Sequence, residues 1–385
     1  MALNAPDTTV SIDGVDFSNN AINFITIGQG RQQVWEQARS SYAQISLYNP
    51  NNTNWSFDLN STVVITSKNA SGVNRTLFTG TINSYSGSIA ATGEIATVGL
   101  VQITALGSLA KMSRTLVGEA GYAREYDDVR MTNILTEAGV SIDVVDTPGV
   151  YEFDAYSGGV SDAYTLATKY ADMAFGYIYE TTAGEVGYAN ESRRTVEVAT
   201  YGYDTIPNNY INAYSLGSEK TSADVVNDIY LTYGSNASTT ASSSGSIATY
   251  GRIAANITTE LHNAIEAGYQ VDRYIALKAY PETNLSAFSI ELLNPNISNA
   301  DVDILLQMYM GKPIKIVDLP NSIIHTDYEG FVEGWKWNIS RTGISLEINS
   351  TSSIFSLTPT RWQDVSASLV WSAVCLLYTS DAADE

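Results

Sequence analysis

The sequence predicts a mainly β chain with a small α+β insert: two β-barrel-like domains separated by a helix-plus-hairpin domain. Three observations lead there. Apolar residues alternate with polar ones over short runs that end in Gly, Asn, Asp or Ser, the pattern of half-buried strands and tight turns. The chain holds 25 Tyr and 6 Trp among many Ser, Thr and Asn, a mix that favours strands and polar turns over long helices. Helical spacing is concentrated in the middle of the chain. At roughly 100–200 residues per domain, 385 residues correspond to about two to four domains.

Residues 8–112 read as an all-β domain, a small barrel or sandwich. Val10 and Ile12 precede an Asp13-Gly14 turn, and Val15 and Phe17 follow it. Ile22 to Ile27 is β-branched and aromatic, with Ile25 and Ile27 on one face and Ile22 and Phe24 on the other. Ala43, Ile45 and Leu47 alternate in SYAQISLYNP, which Asn-Pro-Asn-Asn closes. Trp55, Phe57 and Leu59 alternate next, before Val63 to Ile65. Leu77, Thr79 and Thr81 make another strand, and Ala96 to Leu106 one more.

Residues 113–200 change character. Asp127 or Asp128 caps a helix to about Ala138, stopped by Gly139. Ser161 caps a second, in which Tyr164, Leu166, Ala167, Tyr170, Ala171 and Ala174 recur at helical spacing, and Gly176 ends it. GYIYETTAGEVGYAN then reads as a hairpin turning at Ala183-Gly184.

Residues 201–355 return to β as the second barrel-like domain. Val225 to Leu231 is a strand. Gly234 to Gly245 is low in complexity and reads as a mobile loop that orders on assembly. Residues 260–279 and 299–310 read as helices. Leu285 to Leu293, Ile314 to Val317, Gly330 to Ile339 and Ile344 to Ile348 read as strands. Residues 356–373 form a polar tail with Trp362 and Trp371. The final CLLYTSDAADE resembles translated adaptor sequence, so residues 374–385, Cys375 included, are set apart as non-native.

Composition excludes several functions. With 2 His and 1 Cys, a disulfide scaffold and a Cys/His zinc site are ruled out within one chain. Net charge is −21, which repels a phosphate backbone, and the densest basic spot is only Arg193-Arg194, so specific nucleic-acid binding is not expected. No run of 18 apolar residues predicts a membrane span. MALNAPDTTV lacks the parts of a secretory signal, which points to folding in a cytoplasm.

No catalytic motif emerges: there is no GxSxG, P-loop or HExxH. His262 and His325 read as ordinary exposed or capping histidines, because a general base needs an orienting partner. Glu180, Glu185 and Glu260 read as single carboxylates without a paired context. Asp127-Asp128 and Asp301-x-Asp303 do not match a calcium loop and read as helix caps. Trp335-Lys336-Trp337 places two Trp on one strand face, either in a core or as an aromatic platform for sugar or a partner chain. The tyrosines of 151–179 and 201–214 are candidates for an interface. The sequence therefore assigns no catalytic, cofactor-binding or metal-ligating residue, and the chain is not expected to be an enzyme.

Four segments in order carry a family likeness. They are VSIDGVDFSNNAINFITIGQGRQQVWEQARSSYAQISLYNP with its Gly30-Arg31 pair, SDAYTLATKYADMAFGYIYETTAGEVGYAN, DVVNDIYLTYG followed by SIATYGRIA, and LLQMYMGKPIKIVDLP with FVEGWKWNIS. Over about residues 8–355 the chain resembles tailed-phage baseplate-hub or minor tail proteins of the two-barrel type. The resemblance implies a structural virion protein at the tail tip, built in the host cytoplasm as a homotrimer and joining the tail tube to tip or fibre proteins. The alternatives within it are a receptor- or carbohydrate-binding tail module and a distal-tail ring protein.

Overall fold

The computed structural model describes residues 7–17, 22–49, 55, 57–69, 71–91, 98–323 and 327–355. His325, Trp362, Trp371 and Cys375, the Pro50 to Asn52 closure and the start of the Ala96 strand lie outside the described residues.

The mainly β class holds. Each β half contributes to one twelve-stranded sheet. From the first half come Thr8–Ile12, Val15–Phe17, Ile22–Gly30, Arg39–Asn49, Thr62–Lys68, Asn74–Ala91 and Val98–Leu106. From the second come Asp204–Pro207, Phe288–Glu291, Pro313–Val317, Tyr328–Ser340 and Ile344–Ser352. The two sets meet where strand 328–340 runs antiparallel to strand 22–30, from Gly334 opposite Gly30 to Ser340 opposite Phe24. Among the described residues the two ends of this sheet, strands 204–207 and 15–17, do not pair with each other, so no barrel is closed.

The seam follows from the period-2 pattern of both strands. On one face Ile25, Ile27 and Gln29 stand opposite Ile339, Trp337 and Trp335, and all six are buried. Burial of each large apolar side chain contributes about 1.5–3 kcal/mol. Three glycines leave room at the seam, Gly28 for a ring and Gly30 and Gly334 for the facing backbones. A Cβ at Gly28 would sit 2.5 Å from the Tyr42 ring, one at Gly30 2.3 Å from the Glu333 carbonyl oxygen, and one at Gly334 2.5 Å from the Arg31 carbonyl oxygen. Strand 328–340 shifts register against strand 344–352 between Val332 and Gly334, a bulge that re-aims the chain there.

Local chemistry explains most other elements. Asp13 (φ 48°) and Gly14 (φ 81°) make the two-residue turn that an Asp-Gly pair favours. In the middle region, helices Asp127–Glu137 and Ala163–Met173 pack on a sheet of Ile142–Val145, Val186–Ala189 and Tyr177–Glu180. The second of these helices is capped by Asp162, not Ser161: its carboxylate accepts from the Thr165 N–H at 2.8 Å, an acceptor better suited to the helix dipole. It ends at Met173 with Ala174 as C-cap, and Phe175 after it, one residue before Gly176, takes the left-handed conformation at φ 51°.

Several expectations differ from the structure. Gly234 to Gly245 is a turn, a strand and a helix start: Ala237–Ser242 pairs with Asp228–Tyr233, and Ser243 caps helix Ser244–Tyr250. Thr239 and Ala241 face helix Ala264–Lys278 half-buried, while their neighbours are exposed. Thr is β-branched and suits such an edge, so low complexity here reflects polarity rather than a lack of pattern. Val225 and Val226 precede strand 228–233 instead of joining it. Trp55 and Phe57 are outside any strand; they pack as an aromatic cluster with Phe17, at ring distances of 5.1 and 6.5 Å. The expected helix 299–310 stops at Leu305.

Two alanine substitutions separate backbone strain from crowding. Gly14→Ala meets nothing within 4 Å and should cost only the conformational penalty, about 1 kcal/mol. Gly30→Ala at φ 84° also strikes the Glu333 carbonyl and should cost several times more in urea denaturation.

Candidate functional site: a charged junction and its cavity

Strand 328–340 carries one wholly buried charge, Glu333, at the bulge between Val332 and Gly334. Its Oε2 accepts from Arg31 Nε at 2.6 Å and from Arg194 Nη2 at 2.9 Å. Arg31 follows directly on strand 22–30. Arg194 stands in helix Arg193–Tyr201, at the end of the middle region. One carboxylate thus ties the first half, the middle region and the second half together. The Tyr177 ring lies 5.0 Å from Arg31 Cζ and 5.2 Å from Arg194 Cζ, a cation–π arrangement. Arg31 also donates through Nη1 to the Glu36 carbonyl at 2.7 Å, which fixes the loop 31–38.

Burial alone would push the Glu333 carboxyl up. Arg194 and Arg31 outweigh it and hold the group below the usual carboxylate range. Burial pulls Arg31 down further than Glu333 lifts it, and the like charge of Arg194 adds to that fall. For Arg194 burial is outweighed by Glu333 and Tyr177, and its value rises. Guanidinium groups stay protonated throughout, so the cluster holds two cations and one anion.

A cavity of about 230 Å3 opens beside this cluster. Arg31 and Arg194 form one side, Trp35 and Gln37 come from the loop, and Arg273, Tyr274 and Lys278 come from helix 264–278. Lys278 Nζ sits 4.1 Å from the Trp35 ring centroid. Beyond that pair lies a second cavity of about 270 Å3 with Glu219, Asp224 and Glu282 on its walls.

The residues singled out in the sequence fall elsewhere. His262 Nδ1 faces Asp154 Oδ1 at 2.6 Å and Nε2 faces Arg124 Nη1 at 2.9 Å. Since Arg can only donate, Nε2 accepts and Nδ1–H donates to Asp154; neither nitrogen is left to serve as a base. Glu260 accepts from Lys169 and from the Tyr170 hydroxyl. Glu180 is buried and accepts the backbone N–H groups of Ser41 and Leu109, so it anchors the middle hairpin to the first half. The backbone N–H of Glu185 donates to Thr181 in the hairpin turn.

Asp127 does not cap its helix from outside; it occupies the first helical position behind Tyr126. Its carboxylate accepts from Val150 N, Tyr151 N and the Tyr188 hydroxyl. Asp128 bonds the next N–H, Val129. Asp301 holds Ser298 and Tyr210, while Asp303 takes a two-pronged bond from Arg75 at 2.7 Å on each oxygen. Among the described residues no three His, Cys, Asp or Glu side chains converge as metal ligands, and no helix is long and apolar enough to cross a membrane.

Trp335 and Trp337 are 3% and 1% exposed, so they build the core and offer no platform. The tyrosines divide: Tyr151, Tyr170 and Tyr177 are buried, whereas Tyr201 and Tyr214 are 75% and 100% exposed. Sequence reasoning noted Arg31 and Arg194 for other reasons and passed over Glu333. The signal is a glutamate inside an otherwise apolar run, Phe331 to Trp335, which requires a buried cationic partner.

No family model and no curated protein matches the sequence. Solved structures do. A 43 kDa tail protein of prophage MuSo2 from Shewanella oneidensis aligns with TM-score 0.62 at 9% identity, over 91% of this chain and 99% of its own. A tail protein from Neisseria meningitidis aligns with TM-score 0.63 at 8% identity, over 92% and 100%. A type VI secretion system component from E. coli, described as structurally similar to the T4 tail proteins gp27 and gp5, aligns with TM-score 0.50 at 10% identity, over 91% and 79%. The fold is that of phage tail proteins.

Two predictions follow from the buried charges. Glu333→Gln leaves two guanidiniums without their anion and should lower stability by about 3–5 kcal/mol, while the triple change Arg31→Met, Arg194→Met, Glu333→Leu should be far less harmful; urea denaturation of the three proteins compares them. Asp127 and Glu333 should act oppositely with pH. Burial raises Asp127 from 3.8 to about 6, so its contribution to stability falls as pH rises between those values and is constant above. Glu333 is lowered, so its contribution is complete above the usual glutamate value and is lost as pH falls through the folded one. A carbon-detected NMR titration should place the Asp127 carboxyl near 6.

Proposed function

We propose that the chain is a structural protein of a tailed-phage virion. Its place is the tail-tip or baseplate hub, between the tail tube and the tip or fibre proteins, and its working state is a homotrimer. The observation that carries this reading is the reciprocal coverage of the structural matches. The likeness to the MuSo2 protein spans 91% of this chain and 99% of that one, so it concerns the whole architecture and not a single shared module. The structural similarity of the E. coli component to gp27 and gp5 supports the hub position within the tail.

The chemistry of the chain agrees with a structural role. The buried carboxylates bond backbone groups, tyrosine hydroxyls or arginines, and His262 is engaged at both nitrogens. The net charge of −21 disfavours adhesion to a passing genome, since like charges repel over about a Debye length.

Light scattering on residues 1–373 tests the reading. A mass of three chains is expected. A hexamer would move the assignment to a distal-tail ring, and a monomer that stays out of tails in a complementation assay would contradict a structural tail role.

A further inference from the structure

The long strand Asn74–Ala91 outruns its neighbour. Strand Thr62–Lys68 accompanies it only to Thr81, and the Ile82 backbone still exchanges bonds of 2.9 Å with Asn60 and Ser61. Beyond that point strand 98–106 pairs one edge, and among the described residues no backbone group bonds the other. Every residue from Asn83 to Ile89 is exposed. Register shifts lie at the two ends of this stretch, and the pairing from Ser84 to Ile89 is regular. No charged residue and no proline occurs from Thr76 to Ala91. An edge strand kept in water is ordinarily guarded by lysine, proline or a bulge along its length. The face is as incomplete as the edge. Ile45 and Leu47 stand opposite Ile103 and Val101, which stand opposite Tyr85 and Gly87. Ile45, Leu47 and Ile103 are buried in the core, yet Tyr85 is 47% and Ile89 66% exposed. A Cβ at Gly87 would meet nothing within 4 Å. Tyr85 joins this strip to the aromatic cluster through Phe57, 5.4 Å away.

We infer that residues 83–89 form a docking edge for a second copy of this chain, which adds a strand to the open backbone and covers Tyr85 and Ile89. Charge selects that partner. Two chains of −21 each repel wherever acidic faces meet, and this stretch brings no charge to the contact. The chain also carries a facing half. Strands Ala237–Ser242 and Ala254–Thr258 are the two edges of a separate sheet, and neither holds a charge or a proline. An edge that meets a different edge of its neighbour makes a heterologous contact, the kind that closes a ring. The inference rests on the proposed homotrimer and names the surface through which it assembles.

The test joins light scattering on the full chain and on Ile89→Asp with hydrogen exchange at amides 83–89. The full chain should assemble, and both the amides facing strand 98–106 and those on the open edge should then exchange slowly. Ile89→Asp should associate at least about tenfold more weakly, the effect of losing about 1.4 kcal/mol. Its open-edge amides should exchange fast, with near-UV circular dichroism confirming that the variant is folded. Should Ile89→Asp not fold, exchange in the unaltered chain, assembled against diluted, decides alone. An assembled chain whose open-edge amides exchange fast, or a folded Ile89→Asp that assembles equally well, would overturn the docking edge and leave the trimer standing. A dimer with the edge protected would support the docking edge and contradict the trimer. A chain that stays monomeric at every concentration would contradict both.

Discussion

The pairing of strand 328–340 with strand 22–30 is the constraint on which the rest depends. Residues about three hundred positions apart must meet in one register, and the sheet, the bulge and the buried charges all sit on that register. A slip of one residue would turn Trp335, Trp337 and Glu333 to the opposite face. Glu333 sets the register more sharply than the apolar residues do. Apolar partners tolerate exchange, but a buried carboxylate is stable only opposite Arg31 and Arg194, and any other register leaves three charges unpaired. Gly30 and Gly334 belong to the same constraint, because their missing Cβ atoms let the Glu333 and Arg31 backbones approach.

From this seam the architecture follows outward. Arg194 draws helix 193–201 and the Tyr177 strand onto the junction, and Glu180 pins that hairpin again at Ser41 and Leu109. The middle region therefore sits against the seam through charged and capped contacts, and the cavity is the space left between these anchors and helix 264–278. Such ties are hard to undo, since removing either partner of a buried pair is far costlier than removing a surface contact.

Much of the fold was legible in the residues. The Asp13-Gly14 hairpin, the helices beginning near Asp127 and Ala163, the 177–189 hairpin and the Trp335-Trp337 core face all follow from local periodicity and turn chemistry. What was not legible is non-local. Nothing within FVEGWKW names Arg31 as its neighbour, and a strand at 237–242 shows little hydrophobic alternation because its half-buried positions are only Thr239 and Ala241. Short parallel pairs such as 204–207 with 313–317 carry no local signal for their partner. The candidate cavity gathers residues from four stretches of chain, so it exists only in the folded molecule.

The most direct measurement of the seam's role is native-state hydrogen exchange along the two strands. The account predicts that amides of residues 24–30 and 334–340 exchange with one common opening free energy, equal to that of global unfolding, and that Glu333→Gln lowers both together. Exchange of strand 328–340 through a separate, lower-energy opening, with strand 22–30 still protected, would contradict it: the two halves would then be independent units in contact, and the buried triad would not be what joins them.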